Sequence, residues 1–209
     1  MRAGLSILLV VLGAFLVGAA MHSAAPAASP LAPNALSQAA PVATDSYAVD
    51  TVHSSVVFKI KHLGVSYFFG RFNDVSGSFT VDQADAANIT FDIKIKAESI
   101  DTGNEKRDAH LKSPDFFNAR QFPELTFKST KVEKGSGNTY NVTGDLTMHG
   151  VTKPVTAKMD LVGTGSARGA SLAGYESTFT VKRSDFGMDF MLEGLGDEVT
   201  VMIGLEGKR

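Results

Sequence analysis

The sequence predicts an all-β fold, a single antiparallel β-barrel of about eight strands with one short helix. Two observations predict it. Beyond residue 46 the chain runs in short stretches of alternating apolar and polar residues, divided by Gly, Asn, Asp and Ser, the pattern of half-buried strands and tight turns. Only residues 104–113 read as a helix of useful length, too little for the crossovers that a parallel sheet requires.

In chain order, Met1 and Arg2 precede an uncharged run from Ala3 to Met21 that is strongly apolar between Leu5 and Val17. This predicts a secretory signal over residues 1–20, with several small-x-small sites leaving the cleavage point anywhere from 20 to 28. A retained anchor is the alternative, because a membrane-spanning helix needs about 20 apolar residues. Residues 21–46, rich in Ala, Pro and Ser, bury too little to offset the entropy of ordering and predict a disordered linker. The folded domain is expected at 47–207.

Within it, one face of each strand is apolar. The clearest case sets Ile89, Phe91, Ile93, Ile95 and Ala97 against Thr90, Asp92, Lys94 and Lys96. The same period of two gives inward rows at Val56/Phe58/Ile60, Val75/Phe79/Val81, Leu125/Phe127 and Tyr140/Val142/Leu146/Met148. It recurs at Val155/Ala157/Met159/Leu161, Tyr175/Phe179/Val181 and Val199/Val201/Ile203/Leu205. Periodicity also admits a sandwich. The barrel is the reading adopted, its interior being wide enough either to fill with side chains or to hold one slender ligand.

Composition and motifs narrow the function. The chain has no cysteine, hence no lipoprotein attachment site, no disulfide framework and no thiolate chemistry. Its net charge is −2, without a basic run, so nucleic acid is not an expected partner. The histidines at 22, 53, 62, 110 and 149 are not spaced as a metal pair, and no metal site is expected. No nucleophile elbow, P-loop or dinucleotide fingerprint is present. Asp108 and His110, two apart on the expected helix with Asp115 close behind, do not face each other, so a solvated or capping role is expected rather than acid/base catalysis.

Two cations break the strand pattern. His62 extends the row Phe58/Ile60, and Arg183 extends Phe179/Val181, so both fall on inward parity at a strand end. Each needs either a carboxylate, such as Asp101 or Asp185, or the polar head of a ligand. Aromatic and methionine side chains cluster at Tyr67/Phe68/Phe69/Phe72, at Phe116/Phe117/Phe122 and at Phe186/Met188/Phe190/Met191, segments read as lying largely between strands. They would form either an adaptable apolar mouth or a plug of ordinary core.

Four segments occur together and in order: Tyr47-Ala-Val-Asp-Thr-Val-His-Ser54, Ser99-Ile-Asp-Thr-Gly-Asn-Glu-Lys-Arg-Asp-Ala-His-Leu111, Leu146-Thr-Met-His-Gly-Val-Thr-Lys-Pro-Val155 and Arg183-Ser-Asp-Phe-Gly-Met188. With them the chain resembles the YceI-like proteins over essentially all of 47–206. The resemblance implies a lipocalin-like barrel exported to the periplasm, with an apolar channel for a polyisoprenoid or an isoprenoid quinone and no catalytic residues.

The combined expectation is a periplasmic carrier of a long-chain amphiphile, not an enzyme, with no cofactor beyond such a bound lipid. The expected ligand-binding residues are Phe58, His62, Phe68, Phe69, Phe72, Phe79, Phe91, Ile93, Phe127, Met159, Phe179, Arg183, Phe186, Met188 and Phe190. The alternatives are a filled structural or stress-related barrel and a lipid-modifying enzyme. Transient contact with the inner membrane and a homodimer are further partner options.

Overall fold

The structure, a computed structural model, describes residues 44–209. The expected signal segment and nearly all of the expected linker lie outside the described residues. Strand β1 (Asp45–Val49) already includes Asp45 and Ser46, which pair with Val81 and Thr80, so the ordered sheet starts slightly earlier than the composition suggests.

The remaining elements are β2 (Ser55–His62), β3 (Ser66–Phe72), β4 (Val75–Val81), β5 (Phe91–Lys96), β6 (Ile100–Asp101), α1 (Glu105–Leu111), β7 (Glu124–Lys134), β8 (Thr139–Met148), β9 (Val151–Ala167), β10 (Ala170–Lys182) and β11 (Leu195–Lys208). All pairings are antiparallel, and β1 closes the sheet by pairing with β11. β1 and β2 run along the same edge of β11, β3 and β4 along β2 and β1, and β6 and β5 along β3 and β4. Each pair is therefore one long strand with a corner in it. Counted that way, eight strands follow one another as a meander and close into a barrel, the architecture that leaves no sheet edge unpaired.

The corners have local causes. Residues 50–54 stand opposite Leu205 and Glu206, an irregularity held by Asp50 N–H on the Glu206 carbonyl (2.7 Å) and by the Ser54 hydroxyl, which bonds the Glu206 backbone. Asn73 and Asp74 separate β3 from β4, and a 3₁₀ turn at Ala97–Ser99 separates β5 from β6 at the same height.

The meander gives the barrel two ends. One carries the turns at 82–90, 135–138 and 168–169. The other carries 63–65, the α1 segment 102–123, 149–150 and 183–194. The first end is plugged by aromatic rings. Tyr47 stacks on Phe79 (5.7 Å), and Tyr175 meets Phe79 (5.4 Å) and Phe91 (5.0 Å) edge-on. Tyr175 is 1% exposed, its hydroxyl has no hydrogen-bond partner among the described residues, and burial pushes its pKa well up.

Candidate functional site

Above the aromatic plug the barrel is hollow, with a cavity of about 390 Å³ reaching the α1 end. Its wall consists of the inward rows of the strands: Val56, Phe58 and Ile60 of β2, Phe91, Ile93 and Ile95 of β5, Val142, Leu146 and Met148 of β8, and Val199, Val201 and Ile203 of β11, among others. Two glycines shape this wall. A Cβ on Gly70 would lie 2.3 Å from the Phe58 ring, and one on Gly144 would lie 2.5 Å from the Phe127 ring. Each ring thus lies across a neighbouring strand, a close approach that only glycine permits.

Polar groups enter the lining only towards the mouth, as His62, Thr102, Arg107, His110, Thr126 and Arg183. Helix α1 positions two of them. Asn104 caps it by accepting the Arg107 N–H (3.0 Å), and the Asp108 carboxylate accepts both the N–H and the hydroxyl of Thr102, folding the helix back on the strand before it. Arg107 then donates to the Thr102 hydroxyl (2.8 Å) and carbonyl (2.7 Å) while its guanidinium lies 4.2 Å over the Phe68 ring. His110 pairs with Asp115 across the helix end (2.8 Å) and meets Phe116 and Phe190 edge-on. Asp108 is a capping group, and the partner of His110 is Asp115.

Arg183 is bound differently from either sequence expectation. It is 3% exposed, and its guanidinium donates to the carbonyls of Gly196 (3.0 Å), Met188 (2.6 Å), Phe190 (2.7 Å) and Leu195 (3.0 Å). Four of its five N–H groups are thereby engaged in shaping the loop before β11. Burial lowers its pKa against the opposing charges of Asp197 and Asp189. Neither Asp101 nor Asp185 is its partner; Asp101 instead accepts from Gly103 N–H, Asn73 and Arg71, which hold its carboxyl below the usual range. Burial pushes the Asp197 carboxyl up, but the N–H and hydroxyl of Ser184, with Arg183, bring it below that range.

The structure brings Phe58, His62, Phe68, Phe72, Phe91, Ile93, Phe127, Met159, Phe179, Arg183 and Met188 to the cavity wall. Four expected residues are elsewhere. Phe69 lies in β3, where alternation turns it outward and leaves it 52% exposed. Phe79 points inward but sits within the plug, fully buried between Tyr47 and Tyr175. Phe186, 2% exposed, packs in the 3₁₀ turn after β10, away from the lining, and Phe190 stays on the outer rim against His110 and Phe116. The segment around Gly70, read as lying between strands, is strand β3 itself. Arg107, Thr102 and His110 were not expected at the mouth.

One other grouping stands out. Asp50, His53 and Glu206 bring three ligating atoms within 4.8 Å of one another, the one such grouping among the described residues. Lys208 already supplies a positive charge 3.5 Å from Asp50, and His53 stands 3.2 Å from the same carboxylate oxygen. The group is well satisfied as a latch between the β1–β2 corner and β11.

The YceI-like domain matches residues 47–207, nearly the whole barrel. The chain belongs to the YceI-like family. A UPF0312 protein of Pseudomonas aeruginosa is 43% identical over 158 residues, covering 75% of this chain and 82% of that protein, and one of Photorhabdus laumondii is 42% identical over the same length. Among solved structures, the Campylobacter jejuni YCEI protein is 34% identical with a TM-score of 0.64, covering 72% of this chain and 90% of that one. Burkholderia cenocepacia BcnA is 27% identical with a TM-score of 0.70, covering 76% and 98%. A domain from Saccharophagus degradans described as polyisoprenoid binding shares the fold at 16% identity, with a TM-score of 0.60 over 78% and 97% of the two chains.

Proposed function

We propose that this YceI-like protein is a periplasmic carrier or buffer for a long-chain amphiphile, a polyisoprenoid or an isoprenoid quinone, and does no chemistry on it. The single observation that supports this most is the polarity gradient of the cavity: apolar wall from the Phe91 floor upward, with Thr102, Arg107, His62 and His110 only at the opening. An apolar chain would lie along the wall and its polar head at the rim. Each methylene of the chain taken from water would contribute about 0.8 kcal/mol before ordering costs. The Saccharophagus degradans domain, described as polyisoprenoid binding, agrees with this cargo class. A barrel with a purely structural role has no need of such a hollow.

Ala157 lines the cavity and is 8% exposed. Ala157→Phe would place a ring in the space assigned to the lipid chain. The expected result is a marked fall in lipid extracted per molecule of purified full chain, with a cooperative melting transition retained. Unchanged lipid content in a folded variant would place the cargo elsewhere and overturn the proposal.

A further inference from the structure

The rim of the mouth has a feature that cargo binding alone does not require. Two apolar side chains there occupy left-handed backbone: Leu63 (φ 48°) and Met191 (φ 56°). Turn positions of that kind favour Gly, Asn or Asp, and a large apolar residue is there at a conformational cost. Neither recovers that cost by burial, since Leu63 is 61% exposed and Met191, which also reaches the cavity lining, 49% exposed; Leu63 does not line the cavity. Val65, on the same β2–β3 turn, is 84% exposed. The Leu63 N–H donates to the Gly194 carbonyl (2.8 Å) and the Gly194 N–H to the Met191 carbonyl (3.0 Å), so the two loops form one continuous apolar ridge beside the cavity opening.

Below this ridge, the outer face of the β2–β3 hairpin changes from purely apolar to a band of aromatics and lysines at one height. Tyr67 and Phe69, 58% and 52% exposed, stand directly opposite Lys61 and Lys59, and the Lys59 ammonium lies 4.9 Å from the Tyr67 ring centroid. Between residues 55 and 72 there is no carboxylate, although the chain as a whole carries a net charge of −2. The other loop of the ridge does carry Asp189 and Glu193, so the basic face is confined to the hairpin. The apolar tip matches the acyl region of a bilayer, and the mixed band of aromatics and snorkelling lysines behind it matches the interface with its anionic headgroups.

We propose that the β2–β3 hairpin tip and the neighbouring Met191 loop dock the barrel, mouth first, on an anionic lipid bilayer. The use of such docking, passing an amphiphile between membrane and cavity, rests on the carrier reading; the docking itself does not.

Because the chain has no cysteine, a single Val65→Cys in the full chain accepts one environment-sensitive fluorophore, and Arg168→Cys on the β9–β10 turn at the opposite end serves as the control. The vesicles are phosphatidylcholine with or without phosphatidylglycerol, include a spin-labelled quencher lipid and contain no isoprenoid. The expected result is a blue shift and strong quenching at position 65 and not at 168, favoured by phosphatidylglycerol. Lys59→Glu with Lys61→Glu would weaken partition to the anionic vesicles by about tenfold or more. A probe at 65 that stays unquenched, equal quenching at both ends, or indifference to charge reversal would overturn the proposal. Insertion at 65 by a protein that retains no cargo would leave docking standing while refuting the carrier.

Discussion

Arg183 shows how a single buried side chain can be misjudged from parity and still organise a site. Its inward position is as expected, but the guanidinium bonds four backbone carbonyls, two in the loop that frames the mouth and two at the start of β11, instead of a carboxylate or a head group. Arg183→Ala should therefore destabilise the fold by on the order of 3 kcal/mol, read from chemical denaturation, because charged hydrogen bonds are lost and partly buried carbonyls are left without donors. A loss of bound lipid with stability unchanged would instead restore a head-group role. Tyr175 is the opposite case, a buried hydroxyl with no partner among the described residues. Tyr175→Phe should leave stability unchanged or raise it by up to about 1 kcal/mol, and a clear fall in melting temperature would mean that the hydroxyl has a bonding partner after all.

Among the elements, the corner between β1 and β2 depends on Asp50, whose carboxyl is brought down to about 2 by the Val52 N–H, then by His53 and by Lys208. The folded state thus holds the carboxylate more firmly than the unfolded chain does. That stability is full above about pH 5 and drains as the pH falls towards the folded value. Asp50→Asn should flatten the acid side of the stability profile; an unchanged slope between those limits would show that the latch is energetically idle. The strands with one apolar face, such as β5 and β10, were legible in the sequence because each has water on the other side. β3 was not, because Tyr67 and Phe69 make its outer face as apolar as its inner one and erase the alternation. The polar part of the mouth contributed by α1 was illegible for another reason. Arg107 and His110 reach it through a short helix whose docking depends on Asp108 meeting Thr102, a tertiary contact that no periodicity encodes.

For the molecule as a whole, eight cornered strands close a barrel that is plugged at one end by Tyr47, Phe79, Tyr140 and Tyr175 and opens at the other beneath α1. About eight one-sided strands sharing an interior were readable from the sequence periodicity, which admits a sandwich as well as a closed barrel; closure came with the family resemblance, and depth did not. Phe79 and Phe91 share the inward parity and pair directly, yet one belongs to the plug and the other to the cavity floor. The central claim is that the space above that floor holds a lipid chain. Its most direct test is native mass spectrometry, with organic extraction, of the protein purified without detergent from its own host. The account predicts a co-purifying isoprenoid or quinone at about one per barrel; a clean apo mass that takes up no added isoprenoid lipid would contradict it.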